Sequence, residues 1–143
     1  MPFTYEYPRP AVSADVVVLA EDSASILLIQ RKRDPFAGSW ALPGGFMDMD
    51  ETASDAAIRE LEEETGLVVS QVSQIGAYSD VQRDPRGRVV TVAFFASVAK
   101  ASKLAASDDA ADAQWFSLDQ LPELAFDHQQ IIADAKQKFI VVN

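Results

Sequence analysis

Cysteine is absent from the 143 residues. That excludes disulfides and thiolate-ligated metal, and it fits a reducing compartment, so a cytoplasmic location is the expectation. Long hydrophobic runs are missing too: "VVVLA" and "ILLI" fall far short of the roughly 20 apolar residues that cross a bilayer. The opening "MPFTYEYPRP" has neither the basic start nor the apolar stretch of a signal peptide, and no membrane partner is expected. Positive charge is scarce. Lys and Arg number 12 against 22 Asp and Glu, and the net charge of −10 argues against duplex nucleic acid as a partner. A small phosphorylated ligand is still admissible, because a local basic cluster or a bound cation reverses the field at one site. With 48% hydrophobic and 24% charged residues, and no repeat or linker-like stretch, the chain reads as one globular domain spanning 1–143.

The pattern along the chain is α/β. "DVVVLA" and "ILLIQRK" are apolar, β-rich runs separated by the turn-like "EDSAS" and read as a hairpin. "DPFAGSWALPGGF", rich in Pro and Gly, is loop or short strand. From about Thr52 to Thr65 the periodicity is helical and stops at Gly66, a residue suited to the position after a helix end. "VVSQVSQIGAYS" and "GRVVTVAFFASVA" read as two strands joined by a turn at Asp-Pro-Arg-Gly. The acidic segment from Ala105 to Gln114 reads as a loop, and "FDHQQIIADAKQKF" as a second amphipathic helix.

Within the first helix, "RELEEETG" gathers Glu60, Glu62, Glu63 and Glu64 around Arg59. Like charges three or four residues apart cost roughly 0.2–0.5 kcal/mol per pair. Glu60, Glu63 and Glu64 share one arc of the helix, with Ala53, Ala56 and Ala57 on the same arc one or two turns earlier. Ile58, Leu61 and Thr65 form a flank able to face a core. The small residues are expected to leave room for something to dock, and three convergent carboxylates suit a hard divalent cation such as Mg²⁺. A solvated acidic face would intersperse basic residues, yet no lysine occurs between Lys32 and Lys100.

The residues ahead of the helix extend the pattern. Gly45, five residues, Glu51, seven residues, Arg59-Glu60-Leu61, one residue, Glu63-Glu64, one residue, Gly66-Leu67 resembles, without a mismatch, the signature of the Nudix hydrolases. "RDPFAGSWALPGGF" before it and "YSDVQRDPRGRVVTVAFF" after it resemble the ADP-ribose pyrophosphatase branch of that family. The resemblance implies a Nudix-type α/β/α sandwich with a mixed β-sheet, its box helix carrying the metal site. It implies a pyrophosphohydrolase that cuts a nucleoside diphosphate linked to another moiety, with Mg²⁺ as cofactor and Mn²⁺ as an alternative. Carried over residue by residue, it makes Glu60, Glu63 and Glu64 the metal ligands, helped by a backbone carbonyl at Gly44 or Gly45. Arg59 belongs to the same catalytic cluster, and with Glu51 it holds the loop against the helix that Gly66 ends. The branch also implies a homodimer.

The remaining site residues are candidates. The general base is either Asp112, ahead of Asp108 and Asp109 in the same acidic segment, or a glutamate of the box. Arg31 and Arg33 on one side, and Arg83, Arg86 and Arg88 on the other, are candidates for phosphate and ribose. Tyr7 or Tyr5 is the candidate for stacking on adenine. Trp40, Trp115 and Phe116 are expected in the core, and His128, the single histidine, is expected to cap or pack the last helix beside Asp127. One departure bears on the substrate: many ADP-ribose pyrophosphatases carry a proline at the positions held here by Gln82 and Arg83, whereas Pro85 follows two residues later. Three readings therefore stand. The chain cleaves ADP-ribose to AMP and ribose 5-phosphate; or it cleaves a nucleoside triphosphate, another sugar nucleotide or a dinucleoside polyphosphate; or it senses a nucleotide without cleaving it. The short stretch after "IIADAK" leaves little room for a DNA-binding domain, which with the intact box favours turnover.

Overall fold

The structure, a computed structural model, describes residues 2–104 and 110–140. Valines 16 to 18 of the first strand, β1 (Ala11–Ala20), are fully buried, as a strand must be when it is covered on both faces. Successive side chains point to opposite faces. Ala14, Val16 and Val18 accordingly pack against the helix α1 (Ala53–Thr65), while Val17 packs with Ile131, Ile132 and Ala135 of the helix α2 (His128–Phe139). The result is the expected α/β/α sandwich over a mixed sheet.

β1 runs parallel to β6 (Val89–Val98) over its whole length, and β6 pairs antiparallel with the edge strand β5 (Ser73–Tyr78). The other edge of β1 changes partner. β2 (Ser25–Arg31) pairs with it only at Leu19–Ile26 and Ala20–Ser25, as the hairpin reading requires, and then diverges. Into the gap comes the segment of β3 (Trp40–Ala41) and β4 (Gly44–Phe46): β3 pairs with β2, and β4 pairs with β1 at Ser13–Asp15. Between them the Val16 N–H donates to the Pro43 carbonyl at 3.0 Å. This wedge is where the sheet opens into a cavity.

The helix is punctuated as its sequence predicts. The Thr52 hydroxyl accepts from the Asp55 N–H at 3.1 Å, the Asp55 carboxylate accepts from the Thr52 N–H at 3.4 Å, and Gly66 takes the left-handed conformation at φ 77°. Two readings are corrected. The segment read as a loop up to Gln114 enters the strand β7 (Ala110–Ser117), paired along β2 from Arg31–Ala110 to Ser25–Ser117. "ADAQ" lacks the β-branched residues that advertise a strand, and the free edge of β2 imposes the conformation instead. Ala56 and Ala57 do not leave room for a ligand: both are fully buried, with Leu61, where the helix lies on the sheet. Small side chains there let the helix approach. Ala57→Leu is therefore expected to lower stability by about 1–3 kcal/mol through overpacking, measured by urea denaturation; a neutral effect would mean that this face has spare volume.

Candidate active site

Gly44 and Gly45 thread between β1 and α1 at distances that no side chain permits. A Cβ on Gly44 would collide with Asp15 Oδ1 and the Ala14 carbonyl oxygen, and one on Gly45 would lie 2.6 Å from Glu60 Cδ. The Gly44 N–H donates to Glu64 Oε1 at 2.7 Å, which draws a buried carboxylate of α1 onto β4. One turn earlier, Arg59 clasps Glu51 with two hydrogen bonds, Nε to Oε2 at 3.0 Å and Nη2 to Oε1 at 2.6 Å. It also donates to the Phe46 carbonyl at 3.2 Å. These bonds tie the glycine strand, the loop after it and the helix into one unit. They pull the Glu51 carboxyl down to about 2, the Arg59 side chain first and the Asp48 N–H second.

Beside that unit lies a cavity of about 510 Å³. Glu60 and Glu64 line it from α1, and Arg31, Arg33, Arg83 and Arg86 line it from β2, the segment after it and the β5–β6 loop. Burial raises the Glu60 carboxyl above the usual range, against the opposing hydrogen bond from Arg59 at 2.8 Å. Burial, and next the nearby Arg86 charge, lower the Arg31 guanidinium from its ordinary value. Arg31 donates through Nε to the Pro35 carbonyl at 2.7 Å and stands 5.0 Å from the ring of Phe126. Arg86 is 5.5 Å from that same ring and 5.1 Å from Phe46. Two like charges held against one aromatic ring make a place that favours an anion. Phe126 itself has φ 52°, unusual for an aromatic residue, and rests on Phe36 at 4.8 Å.

A NUDIX domain profile matches residues 9–135. The chain is 48% identical to the ADP-ribose pyrophosphatase of Methanocaldococcus jannaschii, over 90% of its own length and 74% of that protein. It is 35% identical to the ADPR responsive transcriptional repressor NtrR of Acinetobacter baylyi, over 91% of its own length and about half, 54%, of that one. Among solved structures, a MutT/nudix family protein from Enterococcus faecalis superposes with a TM-score of 0.88 at 36% identity, covering 97% of this chain and 65% of that one. The NUDIX domain of Shewanella oneidensis NrtR, crystallised with ADP ribose, gives 0.86 at 31% identity, covering 92% of this chain and 90% of that one. The chain is a Nudix hydrolase.

Within this Nudix fold the three box carboxylates do not converge as placed. Glu63 projects outward, its side chain 57% exposed, with Oε2 3.3 Å from Arg59 Nη1, while Glu60 and Glu64 face the cavity. Among the described residues no three His, Asp or Glu side chains stand grouped around one point. Arg59 is the reason: it draws Glu60 and Glu63 toward itself along with Glu51.

Other candidates are dispersed by the fold. Asp112 lies opposite Gln30 on β7, outside the cavity lining, and its carboxylate accepts from the Ala113 N–H at 2.9 Å and from Gln114 Nε2 at 2.6 Å. Asp108 and Asp109 fall outside the described residues. Tyr7 is 71% exposed and Tyr5 42%, and neither lines the cavity, whose aromatic wall is Phe46 and Phe126. Arg83 and Arg86 reach the cavity but are each held by an acid, Asp127 at 2.7 Å and Asp84 at 2.7 Å. Arg88 stands apart, donating toward the Asp80 carbonyl at 3.4 Å.

Sequence reasoning passed over the floor of the cavity. Asp15 and His128 are both buried there, with His128 Nε2 3.2 Å from Asp15 Oδ2 and His128 Nδ1 accepting from the Leu42 N–H at 3.0 Å. The packing role expected of His128 is present, with Asp15 and not Asp127 beside it. A signal existed: an aspartate opening the buried run "DVVVLA" has to be accounted for by a partner or a ligand.

The Glu51–Arg59 pair gives a signed pH dependence. Because its folded-state value is depressed from 4.5 to about 2, Glu51 adds stability that is fully present above about pH 4.5 and is lost as the pH falls toward 2. Urea denaturation of the wild type and Glu51→Gln is expected to show a gap at pH 6 that narrows steadily below pH 4.5. A gap that stays constant to pH 2.5 would contradict it.

Proposed function

We propose that the chain hydrolyses the diphosphate of ADP-ribose, giving AMP and ribose 5-phosphate, with Mg²⁺ or Mn²⁺ as cofactor. One observation carries this reading: Glu60 and Glu64 share a single cavity with Arg31, Arg33, Arg83 and Arg86, so that cation-binding carboxylates and phosphate-binding guanidiniums face the same space. The 48% identity to the Methanocaldococcus enzyme supports the substrate. So do the Shewanella domain crystallised with ADP ribose, and a Francisella tularensis NMN adenylyltransferase/ADP ribose pyrophosphatase crystallised with AMP and a manganese ion, similar at a TM-score of 0.83 and 31% identity over 94% of this chain and 43% of that one.

The donor set fits a hard divalent cation. Mg²⁺ takes oxygen ligands, and the glycine cradle at Gly44 and Gly45 brings backbone carbonyls beside two carboxylates without an intervening Cβ. Glu60 and Glu64 would hold it with one of those carbonyls, joined by Glu63 on release from Arg59. When bound, such an ion neutralises diphosphate charge and acidifies a water. The chain's own contribution is mostly positioning and charge. Arg31, partly buried beside Arg86 and with its Nη atoms uncommitted among the described residues, takes a phosphate oxygen, and Arg86 takes another from its seat on Phe126. Water oxygen bonds to phosphorus as the bridging P–O bond breaks, and its proton passes to a carboxylate. Asp112, outside the cavity lining and with both oxygens already engaged, is poorly placed for that role, which leaves it to a glutamate of the box. A cytoplasmic homodimer belongs to the same proposal, supported by the branch resemblance and the cysteine-free composition.

A second reading, binding without cleavage, has one specific support in the likeness to the Acinetobacter repressor. Product identification separates the two. ADP-ribose with Mg²⁺ is expected to yield AMP, and to exceed nucleoside triphosphates, other sugar nucleotides and dinucleoside polyphosphates in kcat/KM. A triphosphate ahead of ADP-ribose overturns the substrate, and tight binding with no AMP released favours sensing. Glu64→Gln in a folded protein is expected to lower kcat at least about a hundredfold, because changes even one step removed from a metal cost 10- to 100-fold; retained Mg²⁺-dependent turnover would remove Glu64 from the site.

A further inference from the structure

We propose that Asp15, oriented by His128, accepts a hydrogen bond from a sugar hydroxyl of the substrate and makes the site discriminate against the deoxy sugar. The inference rests on the ADP-ribose reading for the identity of the sugar. Asp15 is 93% buried, since 7% of its surface is exposed, yet it lines the cavity. Its Oδ2 faces His128 Nε2 at 3.2 Å. Its Oδ1 rests against the backbone of Gly44 and has no hydrogen-bond donor among the described residues. Every fully enclosed side-chain oxygen and nitrogen among those residues does have a partner, so Oδ1 must be open to the cavity. An acceptor oxygen on an otherwise buried carboxylate, open only toward the cavity, is placed to take a donor from whatever enters it.

The donor it calls for is a small hydroxyl. Ser13, two residues along the same face of β1, and Thr91 opposite it place two more hydroxyls, 2.5 Å apart, on the same floor. The aromatic wall of Phe46 and Phe126 carries Arg86 and borders this floor, with the Phe126 ring 5.4 Å from that of His128 and Phe46 opposite Ser13 in the β1–β4 pairing. Both the nucleoside ribose and the distal ribose of ADP-ribose offer such a hydroxyl.

His128 fixes how Asp15 presents itself. Its Nδ1 accepts the Leu42 N–H, so the ring proton sits on Nε2 and points at Oδ2. The same proton dictates the outcome of Asp15→Asn: the amide oxygen turns to Nε2–H, and the NH₂ takes the place of Oδ1. An acceptor becomes a donor at unchanged shape.

The experiment compares ADP-ribose, its 2′-deoxyadenosine analogue and its 2″-deoxyribose analogue, by steady-state kinetics with Mg²⁺ and by calorimetric binding. The wild type is expected to lose about 10- to 100-fold in kcat/KM, through KM, on one of the two analogues, the size of a hydrogen bond to a charged group; which analogue identifies the ribose. Asp15→Asn is expected to raise KM for ADP-ribose by a similar factor, to leave kcat within about threefold, and to erase the discrimination. Equal treatment of all three ligands by the wild type overturns the proposal with no variant needed. So does discrimination that survives in Asp15→Asn, or a fall in kcat at unchanged KM, which would make Asp15 a catalytic group. If calorimetry shows the discrimination while no AMP is formed, the hydrolase reading falls and this one stands. If ADP-ribose neither binds nor reacts, both fall.

Discussion

Everything at the site depends on a backbone passing where no Cβ fits. Gly44 is pressed against Asp15 and the Ala14 carbonyl on one side, and Gly45 against Glu60 on the other. That contact sets the distance between the sheet and the helix, places the Gly44 N–H on Glu64, and brings the Phe46 carbonyl within reach of Arg59. Larger side chains would force β4 away from α1 and separate the carboxylates from the cavity. Glycine here is a matter of volume rather than of flexibility, and neither residue has the positive φ that other glycines of the chain adopt.

The wedge of β3 and β4 explains why a cavity forms at this place. β2 and β1 start as a tight hairpin and separate after Ile26, because β2 carries on along β7 while β1 stays with β6. The inserted segment satisfies the exposed edges of both strands, yet leaves the ends of β2 and β4 splayed around a common space. Charges of both signs then meet there: Glu60 and Glu64 come from α1, Asp15 from β1, Asp48 and Asp84 from loops, and the arginines from β2, the segment after it and the β5–β6 loop. A molecule of net charge −10 thereby gathers four arginines around one cavity.

Arg59 explains a feature of the helix that composition makes puzzling. Of the four glutamates in "RELEEETG", Glu60 and Glu63 lie on the Arg59 guanidinium, Glu64 is neutralised in part by a backbone N–H, and Glu62 is exposed to solvent. Repulsion along the helix is answered by one arginine and one amide. The same arginine keeps Glu63 turned outward, so a full set of three carboxylates requires a competitor for the guanidinium's hold.

The two helices, the hairpin and the strands β5 and β6 were legible from periodicity, because an apolar face repeats at 3.6 or 2 residues whatever the rest of the chain does. Thr52 and Gly66 were legible as helix ends because capping is local chemistry. The box residues were legible through their resemblance to the Nudix signature, and that resemblance, not the spacing, implied the Glu51–Arg59 contact the structure contains. β7 was not, since its conformation is imposed by the edge of β2 and not by its own residues. Nor was the service of Ala56 and Ala57 as a packing face, since a helical wheel shows which residues share an arc but not what lies against it. Asp15 and His128 are 113 positions apart, and Leu42 is 86 from His128; only the folding of α2 across the sheet makes them neighbours. Residue type and local spacing determined what chemistry the chain could carry. Which acids share a cavity with which arginines was decided by the divergence of two strands, a long-range event with no local signature.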